Sequence, residues 1–496
     1  MQHAADTVVA GDTVKIRSGT YAGFRAKSSG TSPLPITFKA DTGASVIINT
    51  VSPNGKKGSI IEIEEYDWWV LEGFEITGAT KNAGIDIRVA DHVTIRNCDC
   101  HHNRKWGIFT AFAEYFTAEY NRCSYSTEEH GIYHSNSGDN ADIRYNTCHH
   151  NAACGIQINA DPSMGGDGIS SNCSVTHNIL YENGSIGGAA INLASVRDSL
   201  FANNLIYNNH AGGIAAWDDG QGNQWGSKNN KYYNNTVHMP TDGRWAINLK
   251  NGSTGSKVCN NILIHENSAR GGLEMDTSSL TGFSSDYNIL TRVSVDETTI
   301  SLSAWQTSYS QDAQSFSQTA VQTFVSPSSD YHLLGTALAI DGGITLPEII
   351  DDLDGNTRPE GAGYDMGAYE WMSVPKATIQ ANGSNGPLTV SLGSTVFLTL
   401  SLDPDRFSGQ FSDWWVVQVA PTGLYYFDWG KQSFEKGLLP THQGGLFALA
   451  GFPIMNLYNL DQGTHNFYFG VDLNMNGSLD MSSLYYDRVS VNVTGP

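Results

Sequence analysis

A short phrase that alternates apolar and variable positions recurs along much of the chain. It begins with glycine or alanine and continues as apolar, variable, apolar. Its copies start at Gly84, Gly107, Gly131, Gly155, Ala190, Gly213, Ala246 and Gly272. The first four starts are 23, 24 and 24 residues apart. Alternation with period two predicts β-strands, and a repeat of this length predicts that the strands stack as turns of a solenoid.

A second marker, asparagine before a short and often apolar run, advances in step with the first. It occurs at Asn97, Asn121, Asn146, Asn178, Asn204, Asn235, Asn261 and Asn288. Equivalent positions on adjacent turns of a solenoid lie about 4.8 Å apart. We therefore expect the asparagine amides to stack as a ladder in one turn, and the isoleucines of the first phrase to point into the core.

These repeats resemble the right-handed parallel β-helix of the pectate-lyase-like superfamily, over about residues 5–371. Residues 10–21 (AGDTVKIRSGTY) are similar to the start of many secreted bacterial β-helix proteins. Residues 354–359 (DGNTRP) and 364–370 (YDMGAYE) are similar to their C-terminal turn. The resemblance implies an all-β fold with a catalytic β-helix domain over residues 1–371 and a polysaccharide substrate. The N-terminus lacks an apolar stretch behind basic residues, so either the protein is intracellular or a signal peptide has been removed. The resemblance favours removal and implies a secreted or cell-surface protein.

The composition changes after a predicted linker at residues 372–380. Longer alternating segments follow without an asparagine ladder, and they predict a β-sandwich accessory domain over residues 377–496. Within it, residues 472–480 (DLNMNGSLD) resemble the start of an EF-hand-type calcium loop, although Ser483 stands where a bidentate acid is expected. The predicted ligands of a structural Ca²⁺ ion are Asp472, Asn474, Asn476, Ser478 and Asp480.

The charge balance narrows the choice of partners. The chain has 28 Lys plus Arg and 50 Asp plus Glu, a formal net charge of −22, which argues against nucleic acid or an anionic membrane surface. No membrane span is predicted, because the longest apolar stretch, residues 444–455, is short and interrupted by Gly451 and Pro453. The seven cysteines are expected to be buried thiols. The sequence carries no signal for an oligomeric state.

Two longer turns interrupt the repeat and predict a groove. Gly155 and Ala190 are 35 residues apart, and Gly213 and Ala246 are 33 apart. The extra residues fall largely after the strands, at residues 161–168 and 218–225. Insertions in solenoids map to loops that often border the binding face. Both loops are therefore expected to rise from the same edge of one sheet.

The outward positions of the repeated strand form a mixed polar and aromatic strip. A sugar needs such a surface, because its C–H face stacks on aromatic rings while its hydroxyls require hydrogen-bond partners. The predicted substrate-binding residues are Arg88, Trp106, Phe109, Gln157, Asn159, Trp217 and Asp218.

One reaction that fits this strip is β-elimination on a uronate-containing glycan. It requires a cation beside the carboxylate, a base for the C5 proton and an acid for the leaving oxygen. Arg88 or Lys105 is the predicted cation. His130 or Lys105 is the predicted base. Tyr133 is the predicted acid, or a base if its pKa is lowered. We favour this lyase reaction, because cation, base and acid lie within two turns.

The alternative is glycoside hydrolysis by two carboxylates, ~5.5 Å apart in retaining enzymes and ~6.5–9.5 Å apart in inverting ones. The candidates are Glu129, Asp161 and the pair Asp218 and Asp219. Residues 158–161 and 217–219 faintly resemble the Asn-Thr-Asp and Asp-Asp motifs of β-helix polygalacturonases, but they lie two turns apart. The Gly-His-Gly and Arg-Ile-Lys motifs are missing, which disfavours that family. A further alternative is a non-catalytic glycan-binding or surface protein.

Overall fold

The computed structural model describes residues 1–495. The chain divides into two compact units, and the boundary in the sequence falls between Trp371 and Met372. The first unit is a parallel β-solenoid with three sheets of eleven strands each, which confirms the predicted β-helix. Each full turn of the chain contributes one strand to every sheet. Strand pairing is parallel throughout the three sheets except for the last pair of the third sheet, which is antiparallel.

The three sheets are named here in the order in which the chain visits them. The first sheet consists of Thr13–Ile16, Ile36–Ala40, Trp69–Glu72, Thr94–Arg96, Thr117–Glu119, Asp142–Arg144, Ser174–Thr176, Leu200–Ala202, Lys231–Tyr233, Lys257–Cys259 and Ser284–Asp286. The second consists of Gly19–Ala22, Val46–Thr50, Glu75–Thr77, Asp99–His101, Arg122–Ser124, Thr147–His149, Ile179–Tyr181, Leu205–Tyr207, Thr236–Met239, Ile262–His265 and Ile289–Leu290. The third consists of Ile61–Glu64, Ala83–Arg88, Trp106–Ala111, Ile132–Ser135, Ile156–Asn159, Ala189–Ala194, Gly212–Trp217, Ile247–Leu249, Leu273–Met275, Arg292–Val295 and Thr298–Ser301.

Short elements complete the first unit. Two small pairs of strands are Ser170–Ser171 with Val196–Arg197, and Phe324–Ser326 with Asp330–Leu333. The α-helices are Gln2–Ala5, Leu302–Tyr309 and Ala320–Thr323, and the 3₁₀ helices are Pro162–Met164, Asn223–Trp225 and Thr277–Ser279. No helix within residues 1–495 is long and apolar enough to cross a membrane.

Side chains stack in register inside the solenoid. Ile85, Ile108, Ile132 and Ile156 occupy paired positions on successive strands of the third sheet and are fully buried, as the repeated phrase predicts. The second sheet contributes a column of three buried cysteines. Cys100, Cys123 and Cys148 are paired in register, and all seven cysteines of the chain are free thiols.

The predicted asparagine ladder lies in the turn between the first and second sheets. The side-chain amide of Asn146 donates to the Ala118 carbonyl at 2.8 Å and to Asn178 Oδ1 at 3.0 Å. Asn178 Oδ1 also accepts the backbone N–H of Asn146 at 2.9 Å. The pattern runs from Asn121 to Asn288. Each ladder amide thus satisfies backbone groups that the turn leaves unpaired.

The ladder differs from the prediction at its first member. Asn97 is exposed and has a φ of 52°, in the left-handed region that asparagine tolerates. Cys98 takes the ladder place instead, and its N–H donates to Asn121 Oδ1 at 3.0 Å. A second buried ladder, not predicted from the sequence, follows the second sheet. Its members Asn151 and Asn183 are joined by a 2.9 Å hydrogen bond between their side chains.

The second unit contains two sheets with a shared apolar core. One consists of Lys376–Ala381, Val396–Asp403 and Leu449–Leu457. The other consists of Leu388–Ser391, Leu484–Thr494, Gly463–Asp472, Phe411–Ala420, Gly423–Asp428, Ser433–Lys436 and His442–Gly445. The 3₁₀ helix Asp405–Phe407 lies between strands. Leu398 of the first sheet and Phe467 and Phe469 of the second belong to one buried cluster, which is the arrangement of a β-sandwich.

Replacement of Asn178 by alanine tests the ladder. The change leaves the backbone N–H of Asn146 and the Ile143 carbonyl without their side-chain partner, and it removes one of the hydrogen bonds of Asn146 Nδ2 and of Asn204 Oδ1. Since each buried unpaired group costs about 1–3 kcal/mol, we expect the free energy of unfolding to fall by roughly 3–5 kcal/mol in urea titrations. The exposed Asn54→Ala is the control, and equal unfolding midpoints for both variants would contradict the role of the ladder.

Candidate functional site

A cleft of about 510 Å³ lies on the outer face of the third sheet. Its floor is formed by paired outward positions on five successive strands, namely Tyr133, Gln157, Asn192, Ala215 and Asn248. Four strand spacings of ~4.8 Å give a length of about 19 Å. The cleft therefore runs along the solenoid axis and crosses the strands.

A carboxylate organises one end of the cleft. Glu129 Oε2 accepts a hydrogen bond from Trp106 Nε1 at 2.8 Å and lies 3.8 Å from His130 Nε2. Its other oxygen is 3.3 Å from Lys105 Nζ, and that ammonium lies 5.1 Å from the centre of the Trp106 ring. Four predicted site residues, Trp106 among them, are thus brought into one cluster.

His130 is neutral in this cluster. Burial lowers its pKa to about 4, and its Nδ1 accepts the backbone N–H of Cys154 at 3.0 Å. A neutral imidazole that accepts at Nδ1 carries its proton on Nε2. The Nε2–H then faces Glu129. This arrangement favours His130 as a hydrogen-bond donor to a ligand over His130 as a base.

Tyr133 keeps its proton at neutral pH. Burial raises the pKa of its phenol to about 12, and the carboxylates of Glu129 and Asp219 act in the same direction. Its ring packs at 5.3 Å from Phe109 and 5.1 Å from His130, both edge to face. Of the two roles predicted for Tyr133, this environment favours the acid.

Arg88, the other predicted cation, is engaged beside the cleft. Its Nε donates to Asp86 Oδ1 at 2.7 Å, and its guanidinium lies 4.5 Å over the ring of Phe109. Burial raises the pKa of Asp86, although the charge of Arg88 opposes the shift. The guanidinium is therefore compensated within the protein. Lys105, the other predicted cation, is paired with Glu129, whose charge acts on Tyr133.

The loop carboxylates hold the backbone of the two insertions. Asp161 Oδ1 accepts the Ser163 N–H at 2.8 Å and caps a 3₁₀ helix. Asp218 is buried and accepts the side-chain amide of Asn251 and two backbone N–H groups. Burial opposes ionisation there, but these hydrogen bonds hold its pKa below the ordinary value. Within residues 1–495, Glu129 is the only carboxylate that lines the cleft.

The two insertions rise from the same edge of the third sheet, as predicted. Asn159, at the end of one strand, donates its side-chain amide to Asp219 Oδ2 at 3.0 Å, just after a strand two turns further on. At the tips of the loops, a Cβ added to Gly168 would lie 3.0 Å from the Trp225 ring. The loops therefore contact each other beside the cleft.

Several lining residues were not selected from the sequence. Gln157 Oε1, a predicted contact, accepts hydrogen bonds from Asn192 Nδ2 at 2.8 Å and Cys154 Sγ at 3.3 Å. Asn192 and Asn248 are the lining residues that were not selected. They occupy the same outward column as Gln157, and this position in the repeat is the signal that could have identified them. Arg244 and Lys250 lie outside the strand segments, in loops whose course the repeat does not determine.

The predicted calcium loop is closed by its own side chains. Asp472 Oδ1 accepts the Asn474 N–H at 3.0 Å. Asp480 Oδ2 accepts the side-chain amides of Asn474 at 2.6 Å and Asn476 at 2.8 Å. Asn476 Oδ1 in turn accepts the Ser478 N–H at 2.7 Å.

A buried aspartate from another strand adds to this loop. Asp413 is paired with Asp472 across two neighbouring strands, and its Oδ2 accepts the N–H groups of Asn476 and Gly477 at 3.1 and 2.7 Å. In the described part of the chain, no three His, Cys, Asp or Glu side chains are grouped as a metal site. Calcium binding therefore stays a prediction that depends on amide and carbonyl oxygens as well as carboxylates.

Comparison with family models matches residues 1–142 to the one described as "Pel9A-like, right handed beta helix region". Comparison of the sequence with curated proteins gives no match. The crystal structure of pectate lyase Pel9A superposes with a TM-score of 0.52 at 15% identity, over 75% of this chain and 90% of that one. At this identity the likeness shows the fold alone, and it confirms the predicted right-handed parallel β-helix.

Two further structures are less similar. An alginate lyase from Paenibacillus sp. str. FPU-7 gives a TM-score of 0.44 at 19% identity, over 55% of this chain and 93% of that one. The A-module of the Azotobacter vinelandii mannuronan C-5 epimerase AlgE6 gives 0.35 at 13% identity, over 64% and 92%. Neither likeness is strong enough to carry an argument about this chain.

The buried His130 predicts a pH dependence of stability. Its pKa is about 4 in the fold against an ordinary value of 6.5, so the unfolded chain binds the extra proton between these values. Stability is therefore expected to fall as the pH drops from 6.5 to 4, by roughly 3 kcal/mol from this group. His130→Asn, which keeps an acceptor for Cys154, should flatten that dependence in melting experiments. Exposed His3→Asn is the control, and an unchanged pH profile for His130→Asn would contradict the assignment.

The loop at residues 472–480 predicts a response to calcium. With few carboxylates the affinity should lie near 10⁻⁴–10⁻³ M, and a hundredfold excess should stabilise the second unit by about 2.7 kcal/mol. In calorimetry of the full chain, one melting transition should rise with calcium and return with a chelator, while the β-helix transition stays constant. Magnesium at the same concentration is the control. A melting profile insensitive to calcium would refute the site.

Proposed function

We propose that the protein is a polysaccharide lyase that cleaves a uronate-containing glycan by β-elimination. The observation that carries the proposal is the cluster of Glu129, His130 and Tyr133, which line one end of an elongated cleft, with Lys105 joined to it through Glu129. Lys105 is the cation or base, His130 is a neutral hydrogen-bond donor, and Tyr133 is a protonated phenol. The cleft is also long enough for several sugars of a polymer.

Each residue has a distinct proposed role. Lys105 passes one proton to Glu129, whose Oε1 lies 3.3 Å from its Nζ, and then removes the C5 proton of the uronate. The electron pair of that C–H bond forms the C4–C5 double bond. The bond from C4 to the glycosidic oxygen breaks, and Tyr133 donates its proton to that oxygen. His130 donates its Nε2–H to the substrate carboxylate, whose charge grows as the C5 proton leaves. Glu129 holds Lys105 and Trp106 in place through the contacts described above.

Two observations support this proposal over its alternatives. The family model that matches residues 1–142 is named after Pel9A, and the Pel9A structure with the same fold is that of a pectate lyase. Glycoside hydrolysis needs two carboxylates facing the substrate, whereas Glu129 is the only one lining the cleft in residues 1–495. Because the substrate is a polymer, we also propose that the protein acts outside the cytoplasm.

Digestion of acidic glycans tests the proposal. A lyase produces an unsaturated uronide, which is detected by its ultraviolet absorbance. Tyr133→Phe and Lys105→Ala should each lower kcat by about 10²–10⁴, because each removes a proton-transfer group. Tyr120→Phe, which removes the same hydroxyl from an exposed ring on another face, should retain full activity.

Three results would contradict the assignment in different ways. Saturated products, with activity lost in Asp161→Asn and Asp219→Asn and retained in Tyr133→Phe, would indicate the hydrolase. Binding without any product would indicate the non-catalytic alternative. Normal elimination by both Tyr133→Phe and Lys105→Ala would assign the chemistry to other residues.

A further inference from the structure

The far end of the cleft holds an unpaired cation. Arg244 is exposed and lines the cleft, and within residues 1–495 its side chain makes no hydrogen bond and no ion pair. The neighbouring Lys250 differs, because its Nζ lies 3.1 Å from Glu274. The chain has a net charge of −22, so a positive guanidinium that has no carboxylate partner and faces a cleft is unusual in it.

Three buried polar atoms of the same cleft also have no partner in the described chain. They are Asn159 Oδ1, Trp217 Nε1 and Asn248 Oδ1. Buried polar atoms in proteins are nearly always hydrogen bonded, and leaving one unpaired is costly. Two of these atoms accept hydrogen bonds and one donates. A ligand with several hydroxyl groups satisfies both kinds, because a hydroxyl donates and accepts.

The position of these groups sets the size of the ligand. Asn248 lies four strands from Tyr133 in the same outward column, about 19 Å away at ~4.8 Å per strand. Trp217 and Arg244 belong to the last two turns of the cleft. One sugar cannot contact the reactive cluster and the far end together, whereas an extended oligosaccharide lying along the axis can.

We infer that the far end of the cleft is a second anionic-sugar subsite, in which Arg244 binds the carboxylate of a uronate several residues away from the bond to be cleaved. The inference rests on the proposed function for the substrate class but concerns binding alone. Arg244 suits this role, because its planar guanidinium can bind a carboxylate through two parallel hydrogen bonds. Asn248 and Trp217 would then bind the hydroxyls of that sugar.

Two consequences follow for the substrate. Affinity should increase with chain length until an oligomer reaches Arg244, and then level off. Cleavage should occur within chains, since an acidic oligosaccharide has to extend from the reactive cluster to the far end. The protein would thus select an oligomer with acidic sugars at two separated positions.

Binding to the full-length Tyr133→Phe variant tests the inference without turnover. Oligogalacturonates and oligomannuronates from monomer to hexamer are titrated by calorimetry. The part of the tryptophan fluorescence change that is lost on adding Trp217→Phe is a second readout. Adding Arg244→Gln should weaken the binding of long oligomers by about ten- to a hundredfold, the range expected for a charged hydrogen bond, and leave short ones unchanged. The control is Arg122→Gln, an exposed arginine on the second sheet.

Asn248→Asp provides an independent test. It preserves the shape of the side chain and places a negative charge in the subsite, so long oligomers should bind more weakly while short ones are unaffected. Circular dichroism and melting curves verify that each variant is folded.

The outcomes separate this inference from the proposed reaction. Unchanged binding of long oligomers by Arg244→Gln overturns the inference even if elimination is observed. Failure of both oligomer series to bind overturns it as well. A length-dependent gain that requires Arg244, found without any elimination product, supports the subsite and refutes the lyase.

Discussion

The side-chain amide of asparagine in a tight turn is the interaction on which the solenoid depends. At every ladder position one amide donates to the carbonyl of the preceding turn, while its oxygen accepts the backbone N–H of the ladder residue there. These groups are buried, so water cannot replace the amide. Because each turn is fixed to the next at this point, variation in turn length is confined to other parts of the chain. The turns of 35 and 33 residues keep their ladder asparagines and expand elsewhere.

This fixed register is what creates the cleft. With turns held in alignment, one outward position of the third sheet repeats as a column whose side-chain size changes from turn to turn. Bulky Phe109 and Tyr133 stand at one end, and the small Ala215 leaves depth next to Asn248 near the other end. The insertions then border the column on one side. The floor of the cleft is thus a consequence of residue size along a single column.

The repeat allowed the core and the outward column to be predicted, because both depend only on spacing. Prediction from the repeat fails where local hydrogen bonds determine the structure. The exchange of Asn97 for Cys98 in the ladder follows from a left-handed turn residue that spacing does not reveal. The protonation of His130 depends on the N–H of Cys154 from the next turn, and Asp413 contacts the loop at residues 472–480 from a strand that is distant in sequence. Arg244 lies in a loop outside the repeat, so its place in the cleft required the fold.

The stacked thiols of the second sheet have a consequence for how the solenoid opens. Cys100 and Cys123 are fully buried. The hydrogen bond with Cys123 and, to a smaller extent, burial raise the pKa of Cys100 well above its usual value. Because the thiolate is the reactive form, an alkylating reagent cannot modify these side chains in the closed fold. The rate of their modification would therefore report how often the central turns separate. The buried thiols therefore provide a built-in probe of local opening of the core on timescales from seconds to hours.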